Sequence, residues 1–183
     1  VESVLTLKDK DINPVFATAA HEMLIPPWMG KEQFAEIVFP YDKKINNAVH
    51  KIGGRRRAHC HGMCGEFLKI FADMGIDSVE PLEPAPYGDN TIERAKKDVG
   101  GRMLLSGNIC SQDFLRMSIQ DVRNAVKTAI KYGAPGGGFT LRTTGGHAGT
   151  NSAKDKEQML DFFKKIETYI QAGLEYGKYP VKL

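Results

Sequence analysis

The chain has 183 residues, of which 42% are hydrophobic and 26% charged, and its formal net charge is +3. These values are typical of a globular protein, and they exclude a disordered chain, a collagen-like fibre and a disulfide-rich scaffold. No apolar stretch reaches the roughly 18 residues that a membrane helix needs, and the first residues lack a signal-peptide pattern. The small positive charge does not indicate a nucleic-acid surface. We therefore expect neither a membrane nor a nucleic acid as a partner.

The chain has three cysteines, at positions 60, 64 and 110. Their number is odd and too small for a disulfide framework, so it predicts a reducing, cytoplasmic setting. Two of them lie close to histidines in the sequence, a combination that indicates metal chemistry.

Strand and helix patterns alternate five times along the chain. The first helix is predicted over residues 32–52, where apolar side chains recur every three or four positions, and Pro40 is expected to kink or split it. Strands are predicted over residues 15–20, 57–60, 78–82, 102–106 and 139–143. Four further helices are predicted. The first ends at Gly75, the second covers residues 91–99, the third begins at Ser118, and the last carries an apolar stripe from Met159 to Ile170.

This alternation predicts parallel strand pairing and an α/β fold. The units are about 30 residues long, as in a (β/α)8 barrel, but a complete barrel needs about 250 residues and eight units. The sequence therefore predicts one domain over residues 1–183, a partial TIM barrel of about five C-terminal βα units without its N-terminal units. The missing strands would come from a longer native chain or a partner subunit. An open sheet edge with exposed apolar surface is expected beside the first strand.

Two histidines near the end of the second strand form the most informative motif. Because side chains alternate along a strand, His59 and His61 point to one face and Cys60 to the other. Zinc accepts two imidazoles at this spacing, and a catalytic zinc needs a third protein ligand. His147 is the best candidate because it also follows a strand, and barrel active sites lie at that end; Cys64 is the alternative. The interpretation that both histidines only hydrogen-bond in a polar barrel mouth stays open.

Other candidate residues also lie near the carboxyl ends of the predicted strands. Glu80 and Glu83 are candidate catalytic carboxylates, which could hold a substrate cation or move a proton. Arg142 could bind a substrate carboxylate with two parallel hydrogen bonds. The remaining candidate substrate-binding residues are His21, Trp28, Tyr87 and Asp89. For Asp89 a helix-capping role is an equal alternative, and Trp28 and Tyr87 could simply pack against their neighbours.

Two further clusters are interpreted as structural. Three consecutive arginines at positions 55–57 enter a strand at the opposite end of the barrel, which favours a solvated cluster over a nucleic-acid patch. Three glycines at positions 136–138 match neither a P-loop nor a dinucleotide-binding fingerprint, and they predict a flexible turn.

Several segments together resemble the C-terminal part of the uroporphyrinogen decarboxylase superfamily, which also contains corrinoid-dependent methyltransferases. They are His59-Cys60-His61-Gly62, Glu80-Pro81-Leu82-Glu83-Pro84, Gly88-Asp89, Ser106-Gly107-Asn108-Ile109 and Gly145-Gly146-His147. The Gly-Asn-Ile turn after the fourth strand is the most specific of them. The resemblance covers residues 14–177 and implies a (β/α)8 barrel whose first units are missing here.

The methyltransferases of this superfamily hold zinc with a His-x-Cys pair and a distant cysteine. His59 falls on the family's histidine, His61 on its first cysteine and His147 near the distant one. Three neutral histidines leave more positive charge on the metal than thiolates do, so the metal is a stronger Lewis acid and a bound thiolate a weaker nucleophile. The resemblance implies a zinc-dependent methyltransferase that works with a corrinoid protein, in which Glu80 or Glu83 orients the substrate. The changed ligands argue against a thiol methyl acceptor.

Two other functions are retained. One is a cofactor-free uroporphyrinogen decarboxylase of porphyrin biosynthesis, since decarboxylases carry a histidine near the position of His147. The other is a non-catalytic barrel fragment that binds a tetrapyrrole or a metal. The expected partners are a small-molecule or tetrapyrrole substrate, a corrinoid protein and, as an open alternative, a second copy in a homo-oligomer.

Overall fold

The computed structural model describes residues 1–8, 10, 12–145 and 153–181. The strands are β1 (Val15–Thr18), β2 (Arg55–His59), β3 (Ser78–Leu82), β4 (Leu104–Ile109) and β5 (Phe139–Thr143). The helices are α1 (Glu2–Leu5), α2 (Lys31–Ile37), α3 (Phe39–Lys51), α4 (Leu68–Met74), α5 (Ile92–Val99), α6 (Ser111–Phe114), α7 (Ile119–Gly133) and α8 (Lys156–Tyr176). Short 3-10 helices cover His21–Leu24 and Gly65–Phe67.

The five strands form one parallel sheet in the order β1-β2-β3-β4-β5. This order confirms the predicted α/β fold, which is that of a partial TIM barrel. In the described residues β1 and β5 each pair with one neighbour, so the sheet has two open edges. Val15 at the β1 edge is 64% exposed, in agreement with the apolar surface expected there. The source of further strands stays a prediction.

The helices cover one face of the sheet and bury its apolar side chains. An aromatic cluster of Phe34, Phe67 and Phe71 lies at the centre of this core, with ring centroids 5.4–6.4 Å apart. A second apolar cluster joins α7 to α8. Nowhere in the described residues is a helix both long and apolar enough to cross a membrane. The core therefore holds the sheet from the helix side and leaves its other face to polar residues.

Two helices, α3 and α7, begin where local sequence signals predicted a helix start or break. The predicted single helix is split at Val38 into α2 and α3, and Pro40 lies in the first turn of α3. Ser118 and Asp121 form a capping box at the start of α7, in which the Asp121 amide donates to the Ser118 hydroxyl at 3.1 Å. Both effects are local, because proline lacks an amide hydrogen and capping side chains satisfy exposed backbone donors.

Two sequence-based expectations are wrong. The fourth strand was expected at residues 102–106 with a turn at Gly107 and Asn108, but β4 continues through both to Ile109, and these residues pair with β5. The arginines at 55–57 were expected to be solvated, yet Arg56 is buried. The alternation of β2 points Arg56 toward the helices, where α3 supplies a polar partner.

Asn46 on α3 is that partner, and it connects three elements. Its Oδ1 accepts a hydrogen bond from Nε of Arg56 at 2.6 Å, and its Nδ2 donates to the Met74 carbonyl at the end of α4 at 2.9 Å. Burial lowers the pKa of Arg56, and the nearby carboxylates of Asp42 and Asp77 oppose this effect. Nη1 of Arg56 donates to the Phe16 carbonyl at 3.4 Å, and its buried Nη2 has no hydrogen-bond partner among the described residues. Since unpaired buried donors are costly, the bond to Asn46 matters for the stability of this charge.

We predict that Asn46→Ala lowers the free energy of unfolding by about 3 kcal/mol, because it leaves Nε of the buried Arg56 and the Met74 carbonyl without a partner. Urea denaturation followed by circular dichroism measures this change. The matched control is Asn47→Ala, on the exposed side of the same helix, which should change stability by no more than about 0.5 kcal/mol. Equal losses in both variants would contradict the role of Asn46.

Candidate functional site

Two histidine–carboxylate pairs lie where β2 and β3 end. His59 is opposite Glu80 in the β2–β3 register, and its Nδ1 lies 3.4 Å from Oε1 of Glu80. Nδ1 of His61 lies 3.0 Å from Oε1 of Glu83, in the loop that follows β3. The two imidazole centroids are 4.7 Å apart. The structure therefore brings together four of the residues that the sequence singled out.

In both pairs the carboxylate contacts Nδ1, which leaves Nε2 of each imidazole without a hydrogen bond to any described residue. Histidines that ligate metals commonly have one ring nitrogen held by a carboxylate while the other binds the metal. Burial, then the neighbouring His61 and the charges of Arg142 and Arg57, lower the pKa of His59, and Glu22 opposes them. A lowered pKa favours the neutral imidazole, the form that binds metals.

The loop after β3 fixes Glu83. Its Oε2 accepts from the Gly62 amide at 2.8 Å, and its carbonyl accepts from the Asn90 amide at 3.0 Å. Asn90 also donates through Nδ2 to the Cys64 sulfur at 3.3 Å. Gly88 packs so closely that an added Cβ would lie 2.4 Å from the Glu83 carbonyl oxygen. The geometry of His61 and Glu83 therefore depends on a glycine at position 88.

Glu80 has a second set of partners on the concave face of the sheet. Nε of Arg57 lies 3.4 Å from its Oε1, and Nη1 of Arg142 pairs with its Oε2. The two arginines and Glu80 line a cleft of about 370 Å³ together with Ser106 and Thr140. We call this space the interior cleft. The guanidinium of Arg142 is thus held by Glu80 at the wall of this cleft.

A second cleft, of about 360 Å³, lies at the mouth of the barrel. We call it the mouth cleft, and its lining comprises Glu22, Pro26, Pro27, Trp28, His61, Gly62, Glu83, Tyr87 and Gln112. The predicted substrate-binding residues Trp28 and Tyr87 therefore meet His61 and Glu83 around one space. Of the lining, Glu22 and Gln112 were not predicted, although both lie just beyond a strand end, where barrel sites form.

Two other sequence candidates, His21 and Asp89, lie apart from the mouth cleft. His21 is buried, with its Nε2 3.0 Å from Oδ2 of Asp42 and its ring against Phe71. Asp89 accepts from the Gly65 amide at 2.7 Å, so it caps the short helix before α4 and lines a separate cleft. Substrate contacts of both residues stay predictions.

Of the cysteines, Cys60 and Cys64 pack in the apolar core behind β2. Donation of the Cys60 thiol hydrogen to the Cys64 sulfur, together with burial, raises the pKa of Cys60, which disfavours the thiolate that metals bind. His147, the predicted third metal ligand, lies outside the described residues. Within those residues no group of three or more His, Cys, Asp or Glu side chains is arranged to hold a metal ion.

The fold and the paired histidines and carboxylates at the strand ends define an enzyme built on a (β/α) barrel. Residues 26–165 match the family described as Uroporphyrinogen decarboxylase (URO-D), and the chain belongs to this family.

Among solved structures, the fold is similar to a methyltransferase from Methanosarcina mazei, with a TM-score of 0.67 and 19% sequence identity. The match covers 90% of this chain and 43% of that protein, so the chain spans less than half of its length. No curated protein matches the chain. At this identity the likeness shows the fold, and the activity of the whole methyltransferase does not transfer with it.

We predict that Gly88→Ala moves Glu83 away from His61, because the new Cβ would overlap the Glu83 backbone and lie 2.8 Å from the Gly62 carbonyl oxygen. The expected loss of stability is about 1–3 kcal/mol, measured by urea denaturation. Gly101→Ala is the matched control, since a Cβ at that position has no neighbour within 4 Å. If both substitutions are tolerated equally, the close packing of the loop is not a constraint.

Proposed function

We propose that the chain carries the metal-binding half of a zinc-dependent methyltransferase that works with a corrinoid protein. The observation that carries this proposal is the orientation of His59 and His61. Each has Nδ1 held by a carboxylate and Nε2 left for a ligand. His147 is the proposed third ligand, in keeping with its place after β5.

His59 and His61 fit a zinc ion in chemistry and in spacing, because imidazoles 4.7 Å apart can turn toward one metal. A bound zinc would supply Lewis acidity to a substrate at the barrel mouth. Glu80 and Glu83 would hold the imidazoles in the tautomer that carries hydrogen on Nδ1. Their role is then to position the histidines, in place of the direct catalytic role expected from the sequence.

The chain's other residues would bind and enclose the substrate. Trp28 and Tyr87 form walls of the mouth cleft, and Arg142 lies at the wall of the interior cleft, where it could meet an anionic group. The described cysteines are free thiols, which is consistent with the reducing setting of the cytoplasm. A small-molecule substrate suits clefts of a few hundred cubic ångströms.

A cofactor-free decarboxylase is the second candidate, and the interior cleft favours it. Arg57 and Arg142 both line this space, and guanidinium groups recognise the carboxylates that such a substrate carries. Release of carbon dioxide from uroporphyrinogen by metal-free protein would support this candidate. Methyl transfer that requires metal would support the first.

We predict that the metal-free chain binds Zn²⁺ and that His59→Ala and His61→Ala each weaken binding by about 100-fold or more, since each removes a ligand. Isothermal titration calorimetry measures the affinities. Glu83→Gln should weaken binding about tenfold, because it removes the negative charge that lies 3.0 Å from Nδ1 of His61.

The matched control is His50→Ala, at the opposite end of the sheet, where Nε2 contacts Asp77 at 2.7 Å. It should leave zinc affinity unchanged. Zinc binding that survives both His59→Ala and His61→Ala would place the metal elsewhere and overturn the proposed site.

We further predict that the zinc-loaded protein demethylates methylcobalamin in the presence of a methyl acceptor, and that His59→Ala abolishes this activity. The loss of the methylcobalamin absorption band follows the reaction. A rate that is the same with and without zinc would contradict metal dependence.

A further inference from the structure

The mouth cleft has an unusual combination of lining residues. Two carboxylates, Glu22 and Glu83, and two large aromatic side chains, Trp28 and Tyr87, surround it together with two prolines. Among the described residues that line it, there is no lysine or arginine. Such a space is negatively charged and has apolar walls.

Glu22 supplies the uncompensated charge. Its Oε2 is buried and has no hydrogen-bond partner among the described residues. Glu83, by contrast, is satisfied by His61 and the Gly62 amide. A buried carboxylate oxygen without a partner is costly, and it indicates a place for a cation.

Trp28 supplies a surface on which that cation could rest. It is 72% exposed, although tryptophan is usually largely buried, and it lies on the cleft wall. The face of an indole ring attracts a positive charge, and tyrosine does so less strongly. The adjacent Pro26 and Pro27 add apolar contact area and no hydrogen-bond donor.

The chemistry of the lining discriminates between kinds of cation. Beside Glu22 a divalent metal would need several further oxygen or nitrogen ligands, whereas more than half of the described lining of the mouth cleft is aromatic, proline or glycine. A primary ammonium keeps strong hydration and prefers several hydrogen-bond acceptors. A methylated ammonium carries its charge under apolar methyl groups, so it gains from aromatic and proline walls as well as from a carboxylate.

We propose that the mouth cleft binds an N-methylated ammonium group of the substrate, with Glu22 as its counter-ion and Trp28 and Tyr87 as its aromatic walls. This inference rests on the proposed methyl-transfer function, for which it names the class of substrate. The bound group would lie beside His61, the residue that links the mouth cleft to the paired histidines.

Fluorescence offers a direct test, because Trp28 is the single tryptophan of the chain. Metal-free protein is titrated with choline and with its uncharged isostere 3,3-dimethylbutan-1-ol at constant ionic strength. We expect choline to change the emission of Trp28 and to bind at least about tenfold more tightly than the isostere. Equal affinities, or no choline binding, would overturn the proposal.

Variants test the assignment to these residues, with calorimetry as the readout and circular dichroism as the check of folding. Glu22→Gln should weaken choline binding about tenfold and leave binding of the isostere unchanged. Trp28→Ala should abolish choline binding, while Trp28→Phe should retain part of it. Glu32→Gln, a carboxylate that lines the neighbouring cleft, is the matched control and should have no effect. Unchanged choline affinity in folded Glu22→Gln protein would remove Glu22 from the site.

The outcome can be separated from that of the proposed function, because these titrations need neither metal nor corrinoid. Zinc binding at His59 and His61 without choline binding would leave the metal site standing and reject the ammonium substrate. Choline binding without zinc binding would leave the ammonium site standing and reject the metal site.

Discussion

The concave face of the sheet depends on one buried carboxylate, that of Glu80 in β3. It contacts His59 and Arg57 from β2 and Arg142 from β5. A carboxylate removed from water is tolerated only where opposite charges and hydrogen-bond donors replace its hydration. Here the replacements come from strands on both sides, so the arrangement requires the register of the strands from β2 to β5. The contact with Glu80 also fixes His59, the first of the two histidines in the candidate site.

The second histidine follows from the geometry of β2 and the loop after β3. His61 lies two positions after His59, which keeps both on one face as the strand ends. Glu83 lies three positions after Glu80. The chain has left β3 at this point, so the second carboxylate reaches forward to His61. Each imidazole thereby receives its own carboxylate. Gly88 permits this arrangement, because the loop folds back against the Glu83 backbone.

The sequence predicted those parts of the molecule whose signals are local. The bounds of β3 and β5 and the α7 cap follow from alternation and capping. The burial of Arg56 could not be predicted, because it depends on Asn46 of a helix that packs across the sheet. Glu22 was missed because the 3-10 helix after β1 buries His21 and leaves its neighbour at the mouth cleft.

The two clefts differ in charge, and the paired histidines lie between them. The interior cleft has two arginines against the single carboxylate of Glu80, whereas the mouth cleft has Glu22 and Glu83 and no described basic residue apart from His61. The electrostatic potential therefore changes sign along the barrel axis, across His59 and His61. Low-dielectric walls strengthen such a field. A substrate with an anionic and a cationic end would be oriented by this field before any contact with the histidines, with its cationic end in the mouth cleft.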